Sequence, residues 1–269
     1  MMTIRSLNRW QASAGHFSFS LALGLAIFTL FRFIWYPGAL FPLGGAGKLL
    51  FLVVGIDVVL GPLLTLIVFH PKKKSLIWDL AVIVAVQLGA LGYGVWVMAQ
   101  SRPVYLVGAI DRYELVTANN IHPDELAAAA QPEWKSLSWF GPVVVGTKAP
   151  DNPTERIDQA LAALNGGPDL AQLPRYFVPL SAIADKLVEK SRPLADYETI
   201  AREHITELRR WLKANGIDES SVAVLPLKAR LGVGAVLIDR NTAIPLRTAT
   251  FDGYATPNSG PADNAEPTR

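Results

Sequence analysis

Asp57 is the only charge in residues 49–69 (LLFLVVGIDVVLGPLLTLIVF), a run of twenty-one residues. Coiled as an α-helix, that run is about 31 Å long, close to the hydrocarbon thickness of a bilayer. A carboxylate near the centre of such a helix costs roughly 2.5–3.5 kcal/mol on insertion scales, so it must face a protein group or a cavity. Three kinds of chemistry are open to it. Asp57 could pair with Arg32 of the preceding apolar run, contact a polar group on a partner helix, or pass a proton or cation. Gly61 and Pro62 lie about one turn further on, and Gly55 precedes them. The proline removes a backbone donor, which should kink the helix or leave a carbonyl to be satisfied elsewhere. Gln87 falls near the middle of the next apolar run, and Asp79 near its start. Beside Lys72, Lys73 and Lys74, Asp79 reads as an interfacial charge balanced by the lysines.

No other constellation points to catalysis. The histidines (His16, His70, His122 and His204) are scattered along the chain. His204 sits on the apolar face of its helix, where it reads as a core residue rather than a base. The string Gly44-Gly45-Ala46-Gly47-Lys48 superficially matches a phosphate loop, but Pro42 stands where the first glycine belongs and Leu49 replaces Ser/Thr. Serine-hydrolase elbows, zinc-protease helices and calcium loops are absent from the sequence. With no cysteine, disulfides and thiolate metal sites are excluded. Asp124-Glu125 and Asp218-Glu219 fall at helix ends or turns, where solvated charge is ordinary. Trp134 and Trp139 flank Lys135 and suit a half-buried strand, a membrane-surface contact or an exposed patch. The chain is therefore expected to be no enzyme, with no catalytic residues, no metal and no cofactor.

The elements that position Asp57 are three apolar helices expected at about 17–35, 49–69 and 76–98 of a transmembrane region covering 16–99. A signal peptide is the rival for the first, but its apolar core is long and no clear small-residue cleavage site follows. Arg32 near its far end can snorkel to water, and Trp35, Tyr36 and Pro37-Gly38 mark the interface and the stop. Arg5, Arg9 and the three lysines lie on one side, against Lys48 alone on the other. The positive-inside rule therefore makes residues 1–15 cytoplasmic and sends 100–254 across the membrane. On the third helix Ala81, Ala85 and Gly89 recur every four residues, with Gly92 three later. Such a small-residue stripe permits close helix approach, either inside the bundle or with a foreign helix.

Residues 1–100 carry seven Lys/Arg and two Asp/Glu, whereas 101–269 carry eighteen and twenty-one. The second part is thus mildly acidic, which argues against nucleic acid as a partner. It reads as an α+β domain of about 155 residues, ample for a core. A hairpin (103–110 and 113–117) turns at Asp111-Arg112, and further strands are expected at 142–147, 222–227, 233–239 and 243–246. Pro123-Asp124-Glu125 opens a short helix. A helix capped by Asn152-Pro153 should carry Ile157, Leu161 and Leu164 inward, a second covers 182–190, and the strongest period runs over 196–215. Residues 255–269 are expected to be a disordered tail.

The strings WYPGALF (35–41), GIDVVLGPLLTLIVF (55–69), PKKKSLIWDLAVI (71–83), QLGALGYG (87–94) and RPVY (102–105) closely resemble the type IV pilin accessory proteins of the TfpX/TfpZ family. The likeness is strong over residues 13–118 and only general beyond. It implies a bacterial inner-membrane protein with three N-terminal transmembrane helices and a periplasmic domain. It further implies a link to the major pilin and to pilus assembly or pilin level, with no enzymatic activity. On that reading the partners are the pilin, through its membrane helix and periplasmic head, and membrane lipid. The alternatives are a membrane-anchored periplasmic sensor or ligand-binding module, and a small ion- or proton-coupled transporter using Asp57. The residues of interest are Arg32, Asp57, Gly61, Pro62, Asp79, Ala81, Ala85, Gln87 and Gly89, their roles inferred from polarity and packing.

Overall fold

The three apolar runs become three helices long and apolar enough to cross a membrane. The computed structural model describes residues 7–256. Arg5 and the tail over 257–269 lie outside the described residues. Helix α1 (Arg9–Thr29) continues without a break into a π-helical turn, Leu30–Trp35. It begins before Phe17 because Asn8 caps it, accepting from the Gln11 backbone N–H while the Gln11 side chain accepts from the Asn8 N–H. A single turn, α2 (Leu40–Leu43), precedes α3 (Ala46–Val68), which continues uninterrupted past Pro62. Helix α4 (Leu76–Gln100) follows the lysine loop. Helix α3 is the middle member of the group, with α1 packed on one flank and α4 on the other.

From Pro103 the chain folds into a mixed seven-stranded sheet in the order β4-β3-β1-β2-β5-β6-β7. The strands are β1 (Pro103–Ala109), β2 (Arg112–Thr117), β3 (Val143–Thr147), β4 (Phe177–Val178), β5 (Val222–Ala229), β6 (Gly232–Asp239) and β7 (Pro245–Ala249). The parallel join between β2 and β5 is short, with only Tyr113–Leu227 and Glu114–Lys228 in register. Pro226 lies just beyond it, and its missing N–H cannot continue a ladder. The connecting helices are α5 (Pro123–Ala127), α6 (Pro153–Leu164), α7 (Ala184–Lys190) and α8 (Arg202–Ala214). Helix α8 starts later than its apolar period suggests, because 3-10 turns fill the stretch after Pro193. The Tyr197 hydroxyl is tied there to Arg192 and to the Gly253 carbonyl.

Strand alternation sorts the sheet residues onto two faces. Val222, Val224, Ala235 and Leu237 meet Ile205, Leu208 and Leu212 of α8, while Tyr105, Val107 and Val145 meet Trp134 and Phe177. The opposite face presents Leu106, Leu115, Leu225, Leu227, Val236 and Ile238. These residues share one core with Phe31, Trp35, Tyr36, Leu40 and Leu43, the far end of α1 and its hairpin. Phe31 is fully buried, edge-on to Trp35 at 4.5 Å and stacked with Tyr36 at 6.3 Å. Polar bonds lock the join. The Tyr36 hydroxyl donates to the Ser101 carbonyl at 2.6 Å, the Ala39 N–H to Thr248 Oγ1 at 3.2 Å, and the Leu231 N–H to the Leu43 carbonyl at 3.2 Å. The sheet domain is therefore built on the helical hairpin and not tethered beside it.

Helix α6 departs from the expected arrangement. Asn152 caps it as anticipated, but Ile157, Leu161 and Leu164 are exposed. Its contacts are polar instead: Arg156 donates to the Pro150 carbonyl, Gln159 to the Pro168 carbonyl, and Glu155 accepts from the Tyr176 hydroxyl. Those bonds turn the helix so that its apolar stripe points outward.

Replacing Phe31 with alanine should cost about 3–5 kcal/mol, the usual range for emptying a buried aromatic site. Thermal unfolding of the full chain in detergent should show a clear loss for Phe31→Ala and almost none for the outward-facing Phe33→Ala. Burial also lifts the Tyr105 phenol from 10.0 to about 12, and raises Tyr113 above the ordinary value as well. The neutral phenols are favoured in the fold, so their contribution is intact below the unfolded value and declines as pH climbs past it towards about 12. Phenolate absorbance and unfolding, followed together in an alkaline titration, should move in step. Tyr105→Phe should flatten the stability profile.

Candidate functional site

Asp57 faces α4. Its Oδ1 accepts from Gln87 Nε2 at 3.1 Å, and the same nitrogen lies 3.2 Å from the Asp57 carbonyl. The expected alternative of an Arg32 partner is not realised. Gly24 packs against Val54 and Val58, at the level of Asp57. Arg32 is eight residues further along, about 12 Å at the helical rise. Its guanidinium lies over Phe33 and Phe41, at 5.5 and 5.9 Å from the ring centroids, and makes no ion pair among the described residues. Asp79 is held at the opposite end of the helices, 2.7 Å from Lys73 Nζ, and accepts from Ser75 Oγ at 3.2 Å.

Gly61 explains why Gln87 can reach Asp57. A Cβ built on Gly61 would fall on the Gln87 amide, so only glycine leaves room for that side chain between α3 and α4. The Gln87 Oε1 atom is buried and has no hydrogen-bond partner among the described residues. Pro62 neither breaks nor ends α3, and its carbonyl accepts from Ser13 Oγ at 2.9 Å. One turn on, Thr65 Oγ1 and His16 Nδ1 are 2.6 Å apart. A trough of about 330 Å³ opens between α1 and α4 above α3, lined by His16, Phe19, Ser20, Asp57, Thr65 and Gln87. A second hollow of about 410 Å³ flanks the Asp57–Gln87 contact from the other side.

The polar side of α1 was missed by reading one residue at a time. Ser13, His16 and Ser20 follow an i, i+3, i+7 spacing, which places them on one helical face opposite Pro62 and Thr65. That spacing was the available signal. Ala81, Ala85 and Gly89 do the opposite of Gln87: all three are exposed, and nothing within reach would meet a Cβ on Gly89 or Gly92. The stripe faces away from α3, so within the described residues it packs against no other helix. Of the two tryptophans around Lys135, Trp134 is buried in the sheet core while Trp139 is exposed. A larger groove of about 740 Å³ lies where Arg32 and Pro37 approach α8 and the edge strand β7.

These groups offer hydrogen bonding and close helix packing inside the apolar layer. Among the described residues no cluster of His, Asp and Glu has the arrangement to hold a metal ion. Gly61→Ala should destabilise the full-length protein by about 1–3 kcal/mol, because the new methyl is overpacked against Gln87. Gly61→Ala combined with Gln87→Ala should lose less than the sum of the two single losses, since the collision disappears. Calorimetry of the four proteins in one detergent measures this; strict additivity would mean that Gln87 does not fill the Gly61 notch.

No family model matches the chain, and no solved structure matches it. Clear likeness is found to proteins of Dichelobacter nodosus. The fimbrial assembly protein of serogroup E1 is 31% identical over 238 residues, covering 87% of this chain and 92% of the relative. That of serogroup I is likewise 31% identical over 238 residues, with the same coverage of 87% and 92%. The fimbrial assembly protein of serogroups C1 and C2 is 39% identical over 121 residues, 44% of this chain and 92% of its own length. With span-length helices and a sheet domain matched over nearly the whole of two such relatives, the chain belongs to the family of fimbrial assembly proteins.

Proposed function

We propose that this protein is a non-enzymatic inner-membrane accessory protein of type IV pilus biogenesis, of the TfpX/TfpZ kind, that binds the pilin subunit before it joins the fibre. Its role in pilus biogenesis rests on the relatives named above. The contact with pilin is supported by one structural observation: among the helices, α4 packs chiefly on α3, and it turns its Ala81, Ala85, Gly89 and Gly92 stripe outward, where no other described residue covers it. An anchor needs one span. A three-helix layer with a free small-residue face suits a protein that receives another apolar helix, because small residues let two backbones approach closely in lipid. On this reading the N-terminus and the lysine loop are cytoplasmic. The excess of Lys/Arg at 5, 9 and 72–74 over the single Lys48 supports that orientation, and the sheet domain is then periplasmic. There it stands above the spans, placed to meet the head of a pilin whose helix lies against α4.

The Asp57–Gln87 contact serves this arrangement by fixing α4 against α3 while leaving the opposite face of α4 free. A photoreactive side chain at Ala85 or Gly89 should capture pilin in membranes that contain it. The same group at Phe51, an exposed position on α3, should capture lipid alone. Absence of a pilin adduct at both stripe positions, in membranes where pilin is abundant, would count against direct contact.

A further inference from the structure

We propose that the loop at Ser138, Trp139, Phe140 and Gly141 is a membrane wedge whose ligand is the outer-leaflet phospholipid beside the first span. Phe140 is 88% exposed and Trp139 is 56% exposed, unusual for two adjacent large aromatic residues in a folded domain. The loop is pinned. Trp35 Nε1 donates to the Trp139 carbonyl at 2.9 Å, and Arg102 Nε donates to the Ser138 carbonyl at 2.9 Å. The buried Arg102 guanidinium also stacks on the Trp139 ring at 3.8 Å and donates to the Ala99 carbonyl at the end of α4. Gly141 adopts φ 95°, and a Cβ there would come within 3.0 Å of the Ile34 carbonyl. The tip is thus clamped against the ends of α1 and α4 at a fixed height.

That height is set by Arg32. Its guanidinium has no ion-pair partner among the described residues, so in lipid it must reach the headgroup level. Trp35 lies within one helical turn of Arg32, and the loop hangs on Trp35. Phe33 and Ile34 on the same helix end are exposed too, so the apolar surface of the span runs on into Trp139 and Phe140. Continuity with the span surface selects lipid as the occupant. Tryptophan suits the headgroup boundary, and phenylalanine the upper acyl chains. The wedge would hold the sheet domain at one depth and tilt relative to the spans, a role separate from the contact proposed for α4.

The chain has no cysteine, so single-cysteine probes are clean. The full-length protein carrying Phe140→Cys, labelled with an environment-sensitive fluorophore, is reconstituted in phosphatidylethanolamine/phosphatidylglycerol vesicles. Leu164→Cys, exposed on α6, serves as the reference. A lipid with a nitroxide high on its acyl chain should quench the probe at 140 at least twofold more than the probe at 164, and aqueous iodide should do the reverse. Iodide quenching at 140 equal to that at 164, without nitroxide quenching, would place the loop in water and overturn the proposal. Protection from both quenchers would put a protein over the loop and overturn it equally. Because Phe140 is a solvent-exposed tip and the pinning residues Trp35, Arg102 and Trp139 are untouched, the substitution leaves the fold intact. Wild-type thermal unfolding of the labelled protein checks this.

Discussion

The burial of the α1–α3 hairpin in the sheet is the interaction on which the rest of the molecule depends. Phe31, Trp35, Tyr36, Leu40 and Leu43 are apolar groups at the end of a membrane span, yet they form the centre of the sheet domain's largest core. A span that ended in water would expose them. A sheet without them would expose Leu106, Leu225 and Val236. Each part covers the apolar surface of the other, so neither is complete by itself. Met98 and Ala99 at the end of α4 enter the same core, which joins the domain to the third helix as well as to the hairpin.

This shared core bears on function because packed interfaces transmit displacement as rigid units. On the proposed reading, a pilin helix resting on α4 contacts an element whose upper end is part of the domain. Binding within the lipid and binding above it are then mechanically joined without a flexible linker. The Asp57–Gln87 contact stiffens the lower half of the same assembly. Its Oδ1 bond to Gln87 answers the cost of a carboxylate in lipid, and the Gly61 notch makes the approach possible. Ser13, His16 and Thr65 supply the matching polar contacts between α1 and α3.

The trough beside Asp57 and the outward stripe on α4 are different surfaces of one helix layer. The trough is lined mostly by apolar side chains, and most of its few hydrogen-bonding groups already have partners within the helix layer. The stripe is apolar and without a protein neighbour among the described residues. Close helix–helix approach fits the second surface, while the first holds the layer together. The α6 stripe shows why exposure alone is a weak guide. Ile157, Leu161 and Leu164 are equally uncovered, but nothing near them indicates what would cover them.

Local information settled much of this architecture. Apolar run length marked the three spans, short apolar runs bounded by turn residues marked β1, β5 and β6, and Asn152-Pro153 marked the start of α6, because each depends on neighbours a few residues away. The choice of partners was not local. Composition offered Arg32 as a companion for Asp57, but the packing of α4 on α3 brings Gln87 to it, and the level at which α1 crosses α3 leaves Arg32 eight residues, about 12 Å, further along its helix. The same holds for the faces of α4 and α6. A helical stripe states that one side is apolar, but whether that side turns inward depends on which neighbouring surface remains uncovered once the sheet and hairpin have packed. For α6, polar bonds to the Pro150 and Pro168 carbonyls and to Tyr176 set its orientation.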